Sequence, residues 1–251
     1  MPAVYCNNIK NIEWKNEFNK EFNSDSTIDI WKIPVFTDHA LLDFLQKTLH
    51  KEEIEKLSRF HQQKDKQRFI TSHGVLRFLL GKYLKLSPEK IQFVSGPNKK
   101  PLLKSNQNIH FNIAHSGDWI LITISNFPIG IDVEKIDDDF SYQEILSLNF
   151  SNEEIEFIKN SNRPRNDFYL LWTRKESLMK ATAKGIDDKM NSISALDGLN
   201  EISDRIIGSE NGWNINSFGV AENYIGSVTF NPLIKKINFR EISSSFFLHP
   251  V

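Results

Sequence analysis

One cysteine, Cys6, among 251 residues leaves no partner for an internal disulfide, and no CxxC or other paired-thiol spacing is present for a structural zinc site. Long apolar runs are missing too. The opening MPAVYCNNIKNIEWK lacks the apolar core of a signal peptide, and no later stretch approaches the ~20 residues of a membrane span. These absences predict a cytoplasmic protein with no membrane partner. Neither sign of charge is in excess: 31 Lys and Arg face 32 Asp and Glu, for a formal net charge of -1. No overall field therefore draws the chain to nucleic acid, and any anion site has to be local. GxxxxGK[ST] and GxGxxG are absent, which removes the Walker-type ATPase and the Rossmann dinucleotide fold. HExxH is absent and the seven histidines are scattered, so a zinc hydrolase has no support.

What is present suffices for a core. With 39% hydrophobic and 12% aromatic residues the chain can form one large domain or two small ones. IDIWKIPV (28–35) reads as a strand, and HALLDFLQKTLH, with apolar residues at 41, 44, 45 and 49, as an amphipathic helix. From about Lys51 to Lys85 two helices are predicted, because FHQQKDKQRF (60–69) is too polar to be wholly buried, and Ser87-Pro88 stops the second. IQFVS, IHFNIAH and WILITIS read as strands, the last two joined in a hairpin by Ser116-Gly117-Asp118. Ser151 and Glu154 form a capping box, and RNDFYLLWTRKESLMKATAKG reads as a long helix ended by Gly185. GWNINSFGV and NYIGSVTF return to strand character. Helices followed by strands, twice over and with no flexible linker, predict an α+β protein of two similar lobes, residues 1–126 and 127–251, packed tightly together.

The stretch NFPIGIDVEKI (126–136) carries the first chemistry. Asp132 and Glu134 are two apart on a β-branched strand, so their carboxylates project from one face while Ile131 and Val133 point the other way. Two readings stand: the solvent face of an ordinary strand, or two oxygen ligands for a hard cation, Mg²⁺ or Mn²⁺. In WTRKESLMK (172–180), Trp172, Glu176 and Lys180 share one helical ridge; the pair is either a solvated i,i+4 ion pair or a third carboxylate and an amine brought to the strand. His115, at the end of FNIAH before a Ser-Gly turn, belongs on a rim, as a turn histidine or as a ligand-binding group. Lys56 and Arg59, Lys64 with Lys66 and Arg68, and Lys99-Lys100-Pro101 are solvated clusters or local phosphate contacts. Lys100, stiffened by the proline, is the foremost candidate for the latter.

Taken in order, NKKP, FNIAHSGDW, PIGIDVEK and FYLLWTRKESLMKATAKG resemble the phosphopantetheinyl transferases of the larger, single-chain class that includes the surfactin-synthetase activator, over roughly residues 56 to 190. The resemblance implies two similar lobes packed as a pseudo-dimer in a monomeric chain, with coenzyme A in the cleft between them. It implies that Asp132, Glu134 and Glu176 are Mg²⁺ ligands and that Lys180 contacts the diphosphate. His115 and Lys100 would hold the 3′-phosphate; Lys56 matches another phosphate-binding lysine, and Arg68 falls in the same basic segment as Lys56. The implied reaction is attack of a carrier-protein serine on the β-phosphorus of coenzyme A, transferring 4′-phosphopantetheine and releasing adenosine 3′,5′-bisphosphate, with Glu176 as the base. Departures from the pattern concentrate at the nucleotide end: Ala114 stands for a serine, Lys99 for a glycine and Phe69 for a small hydroxyl residue. Alternatives are a metal-dependent phosphodiesterase or pyrophosphatase using the same carboxylates, and a non-catalytic module that binds coenzyme A or a carrier. A carrier contact surface is expected within residues 140–165, where Phe140, Ile145, Leu148, Phe150 and Phe157 are docking groups or core.

Overall fold

The computed structural model describes residues 3–16, 26–104, 108–184, 190–203, 207 and 212–247. In chain order, β1 (Ala3–Asn8) and β2 (Thr27–Pro34) precede three helices, α1 (His39–Gln46), α2 (Lys51–Leu57) and α3 (Gln63–Leu84). A small hairpin, β3 (Phe93–Ser95) and β4 (Pro101–Leu103), leads to three longer strands, β5 (His110–Ser116), β6 (Trp119–Ser125) and β7 (Ile129–Lys135). The second set of helices is α4 (Gln143–Asn149), α5 (Asn152–Lys159) and α6 (Pro164–Thr182), followed by β8 (Gly198–Glu201), β9 (Trp213–Ala221), β10 (Tyr224–Phe230) and β11 (Lys236–Glu241).

The local signals explain most of these boundaries. Asp38 caps α1 by accepting from Leu41 N at 2.8 Å, and Ser151 with Glu154 makes the expected capping box of α5. Leu42, and not Phe44, completes the buried stripe of α1 with Leu41 and Leu45; Phe44 lies exposed, so the apolar period is shifted from the one expected. The long helix α6 starts on Pro164 and stops at Thr182, where Ala183 takes a left-handed φ of 56°. The expected stop, Gly185, lies outside the described residues.

Two sheets carry the fold. One has the order β11-β2-β6-β5 and the other β7-β10-β9-β1-β8. Each end of the chain crosses into the other sheet: β1 pairs in parallel with β9, and β11 in parallel with β2. β2 is buried on both faces. Trp31 and Ile33 pack with Ile120, Ile122, Leu76 and Leu79 under α1 and α3, while Ile28 and Ile30 join Leu121, Ile131, Val133 and Val228 in a core shared by both sheets. On the far side of the second sheet, Leu178 and Met179 of α6 pack on Val4, Cys6, Trp213 and Ile215. Among the described residues no helix is long and apolar enough to cross a membrane.

Candidate active site

β7 sits where the two sheets meet. One of its edges pairs antiparallel with β10; the other faces β5, and there side chains replace the missing ladder. Asn112 Oδ1 accepts from Ile131 N at 2.8 Å, and Ser116 Oγ accepts from Lys135 N at 3.0 Å. These two polar residues of β5 satisfy backbone donors that would otherwise be left at a buried seam. Nothing in their sequence context marked them.

α6 lies across β7 and β10 at unusually close range, and Gly130 is the reason. A Cβ there would stand 2.0 Å from Ser177 O and 2.4 Å from Ala181 N, both helix backbone atoms. Hydroxyl pairs complete the seat: Thr173 Oγ1 with Ser227 Oγ at 2.8 Å and Ser177 Oγ with Thr229 Oγ1 at 2.7 Å. The helix is further fixed by two buried cations that the sequence reading passed over. Arg174 bonds Asp197 at 2.5 Å, and Lys175 pairs with Glu154 at 2.8 Å with both side chains fully buried.

This seating brings the predicted groups together. Lys180 Nζ donates to Asp132 Oδ1 at 2.6 Å, and Ser116 Oγ donates to Glu134 Oε2 at 2.8 Å. Asp132 is only 4% exposed, so the solvent-face reading of the strand pair is wrong for this residue: it lies on the face of β7 that α6 covers. Glu134, Glu176 and Lys180 are half-buried, and Trp172 shares their ridge. Two carboxylate oxygens, Asp132 Oδ2 and Glu176 Oε1, are buried with no hydrogen-bond partner.

The three carboxylates feel one another. Burial raises Asp132 above the usual range against the opposing pull of Lys180. Burial and the Asp132 charge raise Glu176, and burial, Asp132 and Glu176 together lift Glu134 to about 7 although Ser116 and Lys180 oppose them. Lys180 is raised, since the carboxylates outweigh its burial. Among the described residues no three His, Cys, Asp or Glu side chains are closed into a metal cage, and Asp132 and Glu134 each turn one oxygen to a protein donor. The donor set nevertheless suits a hard divalent cation: all-oxygen ligands, excess negative charge, and two buried acceptors without donors.

The basic residues take up different places. His115 keeps one side open to solvent, while the protein packed around the rest of its ring and the charges of Arg68, Lys180 and His73 depress it. Arg68 is held by Asp65 at 2.6 Å. Lys56 is exposed and lies over the ring of Phe69, 5.5 Å from its centroid, while Phe69 stacks on His73 at 4.0 Å. Lys100 turns its amine inward, donating to Ile129 O at 3.0 Å and Lys180 O at 2.5 Å, and burial lowers it to about 8. Burial, and then the Lys100 charge, depress His110. Arg68 and Lys180 thus lie close enough for their charges to act on His115, with His73, Phe69 and Lys56 stacked in succession behind them.

The segment expected to meet a carrier is divided. Phe150 is 2% exposed and packs with Phe168, so it is core, and Ile145 is partly buried. Leu148, at 67% exposure, together with Phe140 and Phe157, is left open.

Two family models match the chain. One, described as the 4'-phosphopantetheinyl transferase superfamily, covers residues 128–228; the other, described as 4'-phosphopantetheinyl transferase, N-terminal, covers residues 37–126. Among curated proteins, the chain is 34% identical to the 4'-phosphopantetheinyl transferase gsp of Aneurinibacillus migulanus, over 64% of this chain and 67% of that protein. It is 30% identical to the 4'-phosphopantetheinyl transferase ffp of Bacillus subtilis over 61% of this chain and 68% of the relative. To the 4'-phosphopantetheinyl transferase Sfp of Bacillus subtilis (strain 168) it is 32% identical, over 57% and 64% respectively.

Proposed function

The chain belongs to the 4'-phosphopantetheinyl transferase family, and on that premise we propose that the cleft between the two lobes, where β7 and α6 present their carboxylates, is where it transfers 4′-phosphopantetheine from coenzyme A to a serine of an apo carrier protein. The observation that carries the placement is the pair of buried, unbonded oxygens, Asp132 Oδ2 and Glu176 Oε1, offered from two different elements beside the Lys180 ammonium. Unsatisfied buried acceptors destabilise a fold, and such strain is retained where a ligand relieves it.

Asp132, Glu134 and Glu176 would hold Mg²⁺, or Mn²⁺, which when bound neutralises charge on the diphosphate of coenzyme A. Lys180, kept protonated by the surrounding carboxylates, contributes a donor to the same diphosphate. Glu176, on the helix face turned to the site, takes the proton of the attacking serine hydroxyl, directly or through a water. The serine oxygen forms a bond to the β-phosphorus as the bond to adenosine 3′,5′-bisphosphate breaks, and no covalent enzyme intermediate is needed. His115, Arg68 and Lys56 border the nucleotide end and would receive its 3′-phosphate; Lys100 adds positive charge there from beneath. Leu148, Phe140 and Phe157 offer the carrier an apolar contact. With lobes of residues 1–126 and 127–251 in one chain, the chain acts as a monomer, and the reaction calls for neither nucleic acid nor a membrane.

The test is mass spectrometry of apo carrier proteins from fatty-acid, polyketide and peptide synthetases after incubation with the chain, Mg²⁺ and coenzyme A. A phosphopantetheine adduct on a carrier serine, with stoichiometric adenosine 3′,5′-bisphosphate, is the expected result. Rapid cleavage of coenzyme A with no carrier present would instead identify a phosphodiesterase.

A further inference from the structure

Between β3 and β4 the chain makes one turn of 3-10 helix, Pro97–Lys99, in which Asn98 and Lys99 both take left-handed backbone, φ 48° and 60°. Two successive side-chain-bearing residues in this region are uncommon, and such a conformation persists only when surrounding contacts over-determine it. Here the contacts lie in the other lobe. Asn98 Nδ2 donates to Ala183 O at 2.8 Å and to Lys184 O at 2.6 Å, and Lys100 Nζ donates to Lys180 O and Ile129 O.

The acceptors explain the arrangement. The last carbonyls of a helix have no partner within it and form the negative end of its dipole, so they take donors and cations. α6 ends without a glycine among the described residues; Ala183 turns left-handed instead, and a turn from the opposite lobe supplies the donors. The Lys180 residue is thereby held at both ends: its carbonyl by Lys100 and its ammonium by Asp132.

We propose that Asn98 and Lys100 form a latch between the lobes that caps the last turn of α6 and sets the position of Lys180 in the cleft. Asn98 touches neither the carboxylates nor the cations of the cleft and acts as a positioning residue. The proposal rests on the reading of Lys180 as a diphosphate contact.

Asn98→Gly is the sharpest test, because glycine adopts the left-handed backbone freely and only the amide is lost. Hydrogen exchange of the full chain should speed up in residues 178–184 and stay unchanged in α3. Coenzyme A affinity, measured by calorimetry, should fall about 5- to 10-fold as the helix end loosens, and should not fall further when Asn98→Gly is added to Lys180→Ala. Asn98→Asp, which cannot donate, should reproduce the loss. Unchanged exchange, an equal loss of affinity in the Lys180→Ala background, or full function of Asn98→Asp would each overturn the latch. Wild-type affinity in Lys180→Ala alone would instead overturn the diphosphate assignment and leave the latch to be judged by hydrogen exchange.

Discussion

Lys180 Nζ lies 2.6 Å from Asp132 Oδ1, tying the last turn of α6 to the middle of β7. The pair joins residues 48 positions apart, and it leaves the second oxygen of Asp132 without a partner. A stabilising ion pair would satisfy both groups; this one satisfies half of the carboxylate, which is the signature of a site arranged for something else.

Replacing the site carboxylates should therefore separate activity from stability. Glu176→Gln and Asp132→Ala should each lower Mg²⁺-dependent transfer at least ~10²-fold, the usual loss on removing a general base or a ligand of the reacting group. Glu176→Gln should leave the thermal midpoint equal or higher, since it removes a charge held in a buried place. Mg²⁺ with coenzyme A should raise the midpoint of the wild type and not that of Asp132→Ala. Full activity in either variant would end the metal assignment.

Gly130→Ala tests the contact of α6 with β7. Its Cβ would meet helix backbone at 2.0 Å, and backbone cannot rotate away as a side chain does. The helix has to lift, at a cost of about 1–3 kcal/mol. Denaturant unfolding should show that loss, and transfer should fall with it because Glu176 and Lys180 ride on the displaced helix.

Acid sensitivity should trace to Glu53. Burial alone would raise its pKa, but His73, the His50 amide and Arg77 outweigh burial and bring it from 4.5 down to about 2. A depressed folded-state pKa gives stability that is complete above the ordinary value and lost as pH falls between the two. Acid unfolding of Glu53→Gln should consequently be flatter than that of the wild type between pH 4.5 and 2. Parallel curves would show that the carboxylate is not what the acid titrates.

The Lys175–Glu154 pair makes the opposite kind of prediction. A buried ion pair exchanged for apolar residues of similar volume is often neutral. This one also serves the backbone: Lys175 Nζ donates to Met190 O and Ile193 O, and Glu154 accepts from Ser151 N and Ala195 N. Glu154→Leu should cost about 3–5 kcal/mol, and the double variant with Lys175→Met should recover little of it, because four backbone groups remain unpaired. Recovery to wild-type stability would show that the backbone bonds carry no weight.

Much of the fold was legible because it depends on short-range rules. Capping at Ser151 and the Gly117 turn each act within a few residues, and each lies where the sequence puts it; the break before α3 is shorter than the polar stretch 60–69 suggests, because Gln63 to Phe69 already belong to the helix. The chemistry was legible in part: Asp132 and Glu134 alternate on a strand, and Glu176 and Lys180 recur at helical spacing. What could not be read were partners brought together by packing. Asn112 and Ser116 look like ordinary hairpin residues until β7 is laid beside β5. Arg174 and Lys175 look like the solvent face of a helix until Asp197 and Glu154 reach them. Lys100, expected at the nucleotide, turns its amine to two carbonyls that lie 29 and 80 residues further along the chain.

By itself, then, the sequence determined the alternation of helices and strands, the types of residue available for a cation and a phosphate, and the family to which the motifs belong, because each is written in spacing of two to four residues. Only the tertiary structure decided that β1 and β11 change sheets, that Asp132 is buried and half-satisfied, and that a turn from one lobe caps the helix of the other. Those outcomes depend on which surfaces exclude water together and which polar groups are left facing one another when they do, and local spacing carries no information about either.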